Sequence, residues 1–498
     1  MNAALAAVPI LVTLGLLAAR VKALYAGGAA LAAAALVALF AFPTAPAMLG
    51  RAGAHMLPTM VELAAILLGG ILLSELMTRT GAQQRLGEWI SGACGTPTRA
   101  LLLIMLGVTP FAESLTGFGI GVVVAIPLLR QLGLAPVKAA VVGLLGLVTV
   151  PWGSLAPGSL VAAQLGGVDF QHLGVVSALL SAPVFAICAT AALAVTFGLR
   201  RSLADLLLAV GTLWVTVWAV NVFVGPPLAG VLGALAVISV LLVTARLREP
   251  ASAPDRAVPT QSAWRALAPY GFLVAGLLVS RAALDAAGID EGWWAVLAGP
   301  GGWLLVTCAL TPWLLGEEAA VLAPALRTAV ARWWQVALTT AVFVALGTLL
   351  TATGMSDALA HAAAALGPAY LLLAPWIGAA SGFLTGSNTG ANAMFAASQA
   401  ATAHALGYPA VQLVGMQNVS AALASGAAVA RIVLAAQLAQ DSPGPTPQPQ
   451  PRTPSGGGGV ALQEKTEQKA DTGAIMRTVL SVHGLVFLVL GCIGLLWR

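Results

Sequence analysis

Glu113 stands inside a long apolar run, four residues ahead of Gly117-Phe118-Gly119 and beside Ser114 and Thr116. An ionisable group at membrane depth costs about 3 kcal/mol or more unless it is solvated, paired or neutralised, so it marks a functional position by default. Glu113 is therefore the candidate for taking up and releasing a proton; the competing reading is a structural carboxyl bonded to hairpin amides. A second apolar run carries Thr385, Gly386, Ser387, Asn388, Thr389 and Asn392, whose hydroxyls and carboxamides can hydrogen-bond a small anion. Two more runs are interrupted in the same manner, one by Trp152, Gly153, Ser154, Gly158 and Ser159, the other by Gln417, Asn418, Ser420, Ser425 and Gly426. Half-helices that begin at such points turn unpaired N-terminal amides inward, and these attract anions. The candidate binding set is Ser114, Thr116, Gly117, Gly119, Ser154, Thr385, Gly386, Ser387, Asn388, Thr389, Asn392, Gln417, Asn418 and Ser420. The bland alternative is that Gly, Ser and Thr serve only to let membrane helices approach closely.

The elements that must position these residues follow from composition. Of 498 residues, 59% are hydrophobic and 8% charged, which excludes a water-soluble globule. Apolar runs near 4–19, 23–42, 58–77, 174–198, 203–223, 228–245, 266–283, 292–315, 333–353 and 475–497 are spans by length. The run at 4–19 has no cationic flank before it, whereas Arg20 and Lys22 follow it, the pattern of a retained span and not of a cleaved leader. The regions 100–131, 138–165, 368–404 and 411–440 are interrupted midway. A net charge of +5 is spread over loops without a basic stripe, so no nucleic-acid partner is expected. Cys94, Cys188, Cys308 and Cys492 read as small core residues, and His55, His172, His361, His404 and His483 lack metal-ligand company, so neither metal nor cofactor is expected.

If 100–131 and 368–404 enter and leave on one side, while 138–165 and 411–440 cross as broken helices, the cationic residues sort by side. Arg20, Lys22, Arg79, Arg85, Arg99, Arg130, Lys138, Arg200, Arg201, Arg246, Arg248, Arg256, Arg265, Arg327, Arg332, Arg452, Lys465, Lys469 and Arg477 then fall inside, with Arg51, Arg281 and Arg498 outside. Both termini are expected in the periplasm. Glu62 and Glu75 lie near the two ends of one span and read as interfacial. Glu317, Glu318, Arg327, Arg332 and Trp333-Trp334 read as a short amphipathic stretch on the cytoplasmic surface. Arg431 either snorkels to the inner surface, the favoured reading, or pairs with an anion.

The two halves echo each other. Leu115-Thr116-Gly117, Leu132-Gly133-Leu134-Ala135-Pro136 and Val142-Gly143 recur in order as Leu384-Thr385-Gly386, Leu406-Gly407-Tyr408-Pro409 and Val414-Gly415. Hairpins entering from opposite faces make the repeat inverted, an arrangement that places a site at the bilayer midplane. The expected organisation is an N-terminal half, 1–245, with the hairpin 100–131 and broken helix 138–165. A polar cytoplasmic linker, 246–265, leads to a C-terminal half, 266–440, with the hairpin 368–404 and broken helix 411–440. A Pro- and Gly-rich loop, 441–473, reads as disordered before an added helix, 474–498.

The run Glu113-Ser-Leu-Thr-Gly117-Phe118-Gly119 resembles the Glu-x-x-x-Gly-Phe-Gly signature of the bacterial L-lactate permease family, and Gly382-Phe-Leu-Thr-Gly386-Ser387-Asn388-Thr389 resembles its Gly-x-x-x-Gly-Ser-Asn-Thr stretch. The resemblance implies proton-coupled import of lactate, and often glycolate. Its wider superfamily includes dicarboxylate carriers whose Ser-Asn-Thr tips bind a carboxylate in an elevator-type transport domain. Two departures stand out: Gly121 replaces a usual Pro, and the small residues Ala424-Ser425-Gly426-Ala427-Ala428 replace a Lys-Met-Ile-Ser-Pro run. If that Lys helps bind the anion, this chain uses another cation or prefers another monocarboxylate.

The expectation is thus an all-α polytopic inner-membrane protein, with two re-entrant helical hairpins, two broken transmembrane helices and an elevator-type scaffold plus transport domain. It would be a proton-coupled carrier of a small monocarboxylate and a homodimer in the lipid bilayer. A sodium-coupled dicarboxylate carrier is the alternative. A membrane enzyme would need a His, Asp or metal cluster at membrane depth, which the sequence lacks.

Overall fold

The structure is a computed structural model that describes residues 2–83, 85–86, 96–117, 119–199, 202–248, 261–288, 293–442 and 470–497. Among the described residues 11 helices are long and apolar enough to cross a membrane, and no strand occurs. Helix is the expected answer in lipid, because each segment must satisfy its own backbone polar groups. Helix α2 (Ala23–Ala41) shows how the packing is achieved. Its buried face is Ala26, Gly27, Ala30, Ala34 and Ala38, whereas Phe40 is 86% exposed. Small residues face protein and large ones face lipid, since lipid tails accept a phenyl ring as readily as a protein core does.

Helix α1 (Asn2–Ala18) packs on α2, α2 on the much later α13 (Leu322–Ala352), and α3 (Pro46–Arg79) on both α13 and α12 (Pro300–Leu315). The interrupted elements come between and after them. Helix α4 (Pro97–Thr116) contains a π turn at Ile104–Val108 directly before Pro110. Proline there has no N–H to give to the preceding turn, and the widened turn absorbs the lost bond, with the Thr109 hydroxyl donating to the Ile104 carbonyl at 2.7 Å. The chain turns back at Gly117 and Gly119, both at positive φ, into α5 (Ile120–Gln131), which packs on α4.

The first broken helix is α6 (Pro136–Leu145), an irregular stretch with a 3-10 segment at Val150–Leu155, and α7 (Pro157–Gly166). Next come α8 (Phe170–Thr196), α9 (Leu203–Phe223), α10 (Pro226–Arg248) and α11 (Gln261–Ala287). After α13 follow α14 (Met355–Ala364), then a second helix pair, α15 (Tyr370–Thr385) and α16 (Asn388–Leu406), turned at Gly386. The second broken helix is α17 (Ala410–Gly426) and α18 (Val429–Asp441), parted at Ala427 and Ala428. Helix α19 (Thr472–Leu496) ends the described chain. The two halves interlock: α7 packs on α16, α8 on α17, and α18 on both α5 and α6.

Several boundaries depart from those expected. The span at 58–77 is the C-terminal part of a 34-residue helix, because Pro58 is tolerated inside α3. The run 292–315 is parted at Gly299-Pro300 into a short turn of helix (Trp293–Leu297) and α12. Arg327, Arg332 and the tryptophan pair are not a separate surface stretch; they lie in the first turns of the continuous α13, where Arg332 pairs with Glu75 at 3.3 Å. Helices α10 and α11 run into the polar linker from both sides, and of it residues 249–260 lie outside the described residues. Residues 443–469 of the Pro- and Gly-rich loop, together with Cys94, lie outside them too. Cys188 and Cys308 are buried as expected, whereas Cys492 is exposed on α19 and is no core residue.

Candidate substrate site

The tip of the first hairpin is closed by its own glutamate. Glu113 is 2% exposed, and its two carboxylate oxygens accept the Gly119 and Gly121 amides, each at 3.2 Å. Those amides are the unpaired donors at the start of α5, so the carboxylate caps that helix and meets the positive end of its dipole. Gly117 needs its glycine twice over. Its φ is +67°, and a Cβ built there would come within 2.7 Å of the Ser154 Cβ in the first broken helix. Ser154 is itself unusual. With Leu155 and Ala156 it forms a run of left-handed residues, φ 46°, 63° and 74°, none of them glycine. Each such residue costs roughly 1–2 kcal/mol, and strain of this kind gathers at functional sites. The Ser154 hydroxyl is buried with no hydrogen-bond partner among the described residues, and it points at Gly70 of α3.

The turn between α15 and α16 meets the same broken helix from the other half of the chain. Ser387 caps α16 by accepting the Gly390 amide at 3.2 Å, while the Thr385 hydroxyl donates to the Ser381 carbonyl at 2.7 Å. Inside the cap lies a carboxamide network. Asn388 and Asn392 each donate to the Asn418 side-chain oxygen at 2.9 Å, and Asn418 donates to the hydroxyls of Ser159 at 2.9 Å and Ser177 at 3.1 Å. Asn392 also donates to the Gly158 carbonyl at 3.0 Å. A Cβ at Gly158 would clash with the Asn388 carboxamide, so glycine is what lets the two elements touch. Gln417 donates to the Ser381 hydroxyl at 3.3 Å and accepts weakly from Gln399 at 3.5 Å, beyond which Tyr370 donates to Gln399 at 2.9 Å.

Of the expected set, the structure thus joins Asn388, Asn392 and Asn418 to one another, and Gly117 to Ser154. Asn418 has both its oxygen and its nitrogen engaged by protein. In this structure it joins α17 to α7, α8 and α16. Ser420 and the Asn392 side-chain oxygen are buried without partners among the described residues. Thr389 and Ser387 are partly exposed, whereas Ser114 faces away from this network, toward Gly230 of α10 and within 3.5 Å of Thr149. Thr116 lines an apolar cavity of about 240 Å³ between α4, α5, α10 and α11, with Phe111, Ile120, Trp264 and Tyr270. Thr149, Ser177, Ser381, Gln399 and Asn221, which accepts from the Trp152 indole at 3.2 Å, were not among the expected residues. Their signal was a single polar residue in an apolar run.

Three charged residues lie outside these networks. Glu62 sits midway along α3, buried, and accepts the Gly301 amide at the start of α12 at 3.3 Å. Glu75 does sit at the charged end of α3, paired with Arg79 at 2.8 Å as well as with Arg332. Arg431 is partly exposed: its Nε lies 3.7 Å from where a Gly119 Cβ would be, while its Nη1 is shielded without a hydrogen-bond partner among the described residues.

A multi-pass helical membrane protein with chain breaks from both halves joined around an interior polar site is thereby defined. The family comparison agrees: the model described as L-lactate permease matches residues 2–292 and 293–440. The chain belongs to the L-lactate permease family, a family of lactate transporters and not of enzymes. No curated protein matches the chain at a significant level. Helix α19 lies beyond the matched residues.

Proposed function

We propose that the protein moves a small monocarboxylate such as L-lactate or glycolate together with a proton across the bacterial inner membrane. The observation that carries this reading is the seating of two helix turns on one chain break: Gly117 against Ser154 within the first half, and Asn388 of the second half against Gly158. Breaks at membrane depth persist where protein or a water-filled cavity satisfies the backbone, and a small polar anion fits such a place. Ser387, Thr389 and the amides of the second hairpin hold the carboxylate. Glu113 carries the proton: on protonation its grip on the Gly119 and Gly121 amides weakens and the first tip loosens, which couples proton uptake to opening of the site. The hairpins and broken helices move as an inverted-repeat transport domain against a scaffold of the remaining helices, in a homodimer, with both termini periplasmic.

The test is uptake into proteoliposomes. An imposed inward pH gradient should drive accumulation of labelled lactate or glycolate and leave a dicarboxylate outside. Sodium-driven uptake of the dicarboxylate, with none of lactate under the pH gradient, would overturn the reading.

A further inference from the structure

We propose that Arg431 is the cation that pairs with the substrate's carboxylate, extending from the break that also meets the second hairpin, where a Cβ at Gly386 would lie 3.4 Å from the Ala428 Cβ. This rests on the transport reading above and names the charged partner in that site. The sequence stretch preceding Arg431, Ala424 to Ala428, offers no charge, and the chain breaks at Ala427 and Ala428 so that α18 starts afresh with Arg431 in its first turn. After the break the partly exposed side chain lies over Gly119, with Nε 3.7 Å and Cδ 3.9 Å from that residue's would-be Cβ, ordinary contact distances.

Nη1 is out of contact with solvent and without a hydrogen-bond partner, and no acid lies within ion-pair distance of Arg431 among the described residues. Glu113, the acid of the tip that carries Gly119, has each oxygen engaged by a backbone amide. A guanidinium at membrane depth is found paired with a carboxylate or with backbone carbonyls, and its planar fork matches a carboxylate with two parallel hydrogen bonds. The fold supplies the cation and leaves the anion to come from outside. A single such cation fits a singly charged substrate.

R431Q and R431K, purified and reconstituted, test this with lactate, glycolate and the uncharged lactamide. R431Q should raise the KM for lactate by 10-fold or more, and R431K by less, because a lysine keeps the charge without the fork. Lactamide should compete poorly with lactate in the wild type and nearly as well as lactate in R431Q. Lactate should also raise the melting temperature of the detergent-purified wild type and not of R431Q. If R431Q keeps the wild-type KM, the assignment falls while the transport reading stands. If the wild type moves no monocarboxylate, the transport reading itself falls. Failure of both variants to fold would also overturn the assignment, since Arg431 would then be a structural cation.

Discussion

Asn388, the first residue of α16, donates to the side-chain oxygen of Asn418 in α17 at 2.9 Å, and so ties the second hairpin to the second broken helix. The same Asn418 reaches back to Ser159 and Ser177 of the first half. One carboxamide therefore joins the two halves of the chain, and its removal strands several buried groups at once. Asn418→Ala should destabilise the protein by about 2–3 kcal/mol, the cost of leaving buried donors and acceptors unpaired. Thermal unfolding in detergent reads this; an unchanged melting temperature would show that the network contributes nothing.

Glu113→Gln keeps the shape of the side chain and removes the exchangeable charge. One of the two amides at the start of α5 then meets an NH2 group instead of an acceptor. The expected result is a loss of pH-gradient-driven lactate uptake of 10-fold or more, with lactate exchange between the two sides retained. Uptake that stays gradient-driven in the variant would leave Glu113 a cap alone.

Gly117 and Ser154 form a pair whose substitutions should not add. Gly117→Ala meets both positive φ and the Ser154 Cβ, and should cost roughly 1–3 kcal/mol. Ser154→Gly relieves a left-handed residue and should stabilise by about 1 kcal/mol on its own. In the double variant the glycine at 154 removes the clash, so the coupling should exceed 0.5 kcal/mol in a double-mutant cycle. Additive effects would mean that the tip and the break do not touch.

Helix α19 is seated on α15. Trp376 of α15 meets Phe487 edge-on at 5.6 Å, and a Cβ at Gly491 would lie 3.0 Å from the Leu372 backbone. Gly491→Leu should lift the helix from α15 and lower stability by roughly 1–3 kcal/mol, the usual cost of overpacking. A melting temperature equal to that of the wild type would argue that α19 is only loosely attached.

Much of the architecture was legible because the signals are local. Apolar length marked the spans, and the glycine-bearing interruptions marked the turns at Gly117 and Gly386 and the breaks before Pro157 and Val429. The misplaced elements share one cause. Pro58 lies inside α3, while Gly299-Pro300 parts α12 from the turn before it; the same residue type continues one helix and starts another according to the neighbours that satisfy its backbone. The charges at 327 and 332 suggested a surface stretch, yet helix α13 carries them through, since Glu75 of α3 stands within reach of Arg332.

The residues of the site divide in the same way. Which positions are polar within apolar runs follows from the order of residues along the chain, because hydropathy and chain-breaking are properties of short windows. Which of those groups are spent on one another is a different kind of fact. Asn418 is engaged by partners up to 259 residues away, Glu113 by amides across its own tip, and Arg431 by none among the described residues. Only the packing of one half against the other decides those pairings, since a hydrogen bond depends on a separation in space that chain spacing does not set.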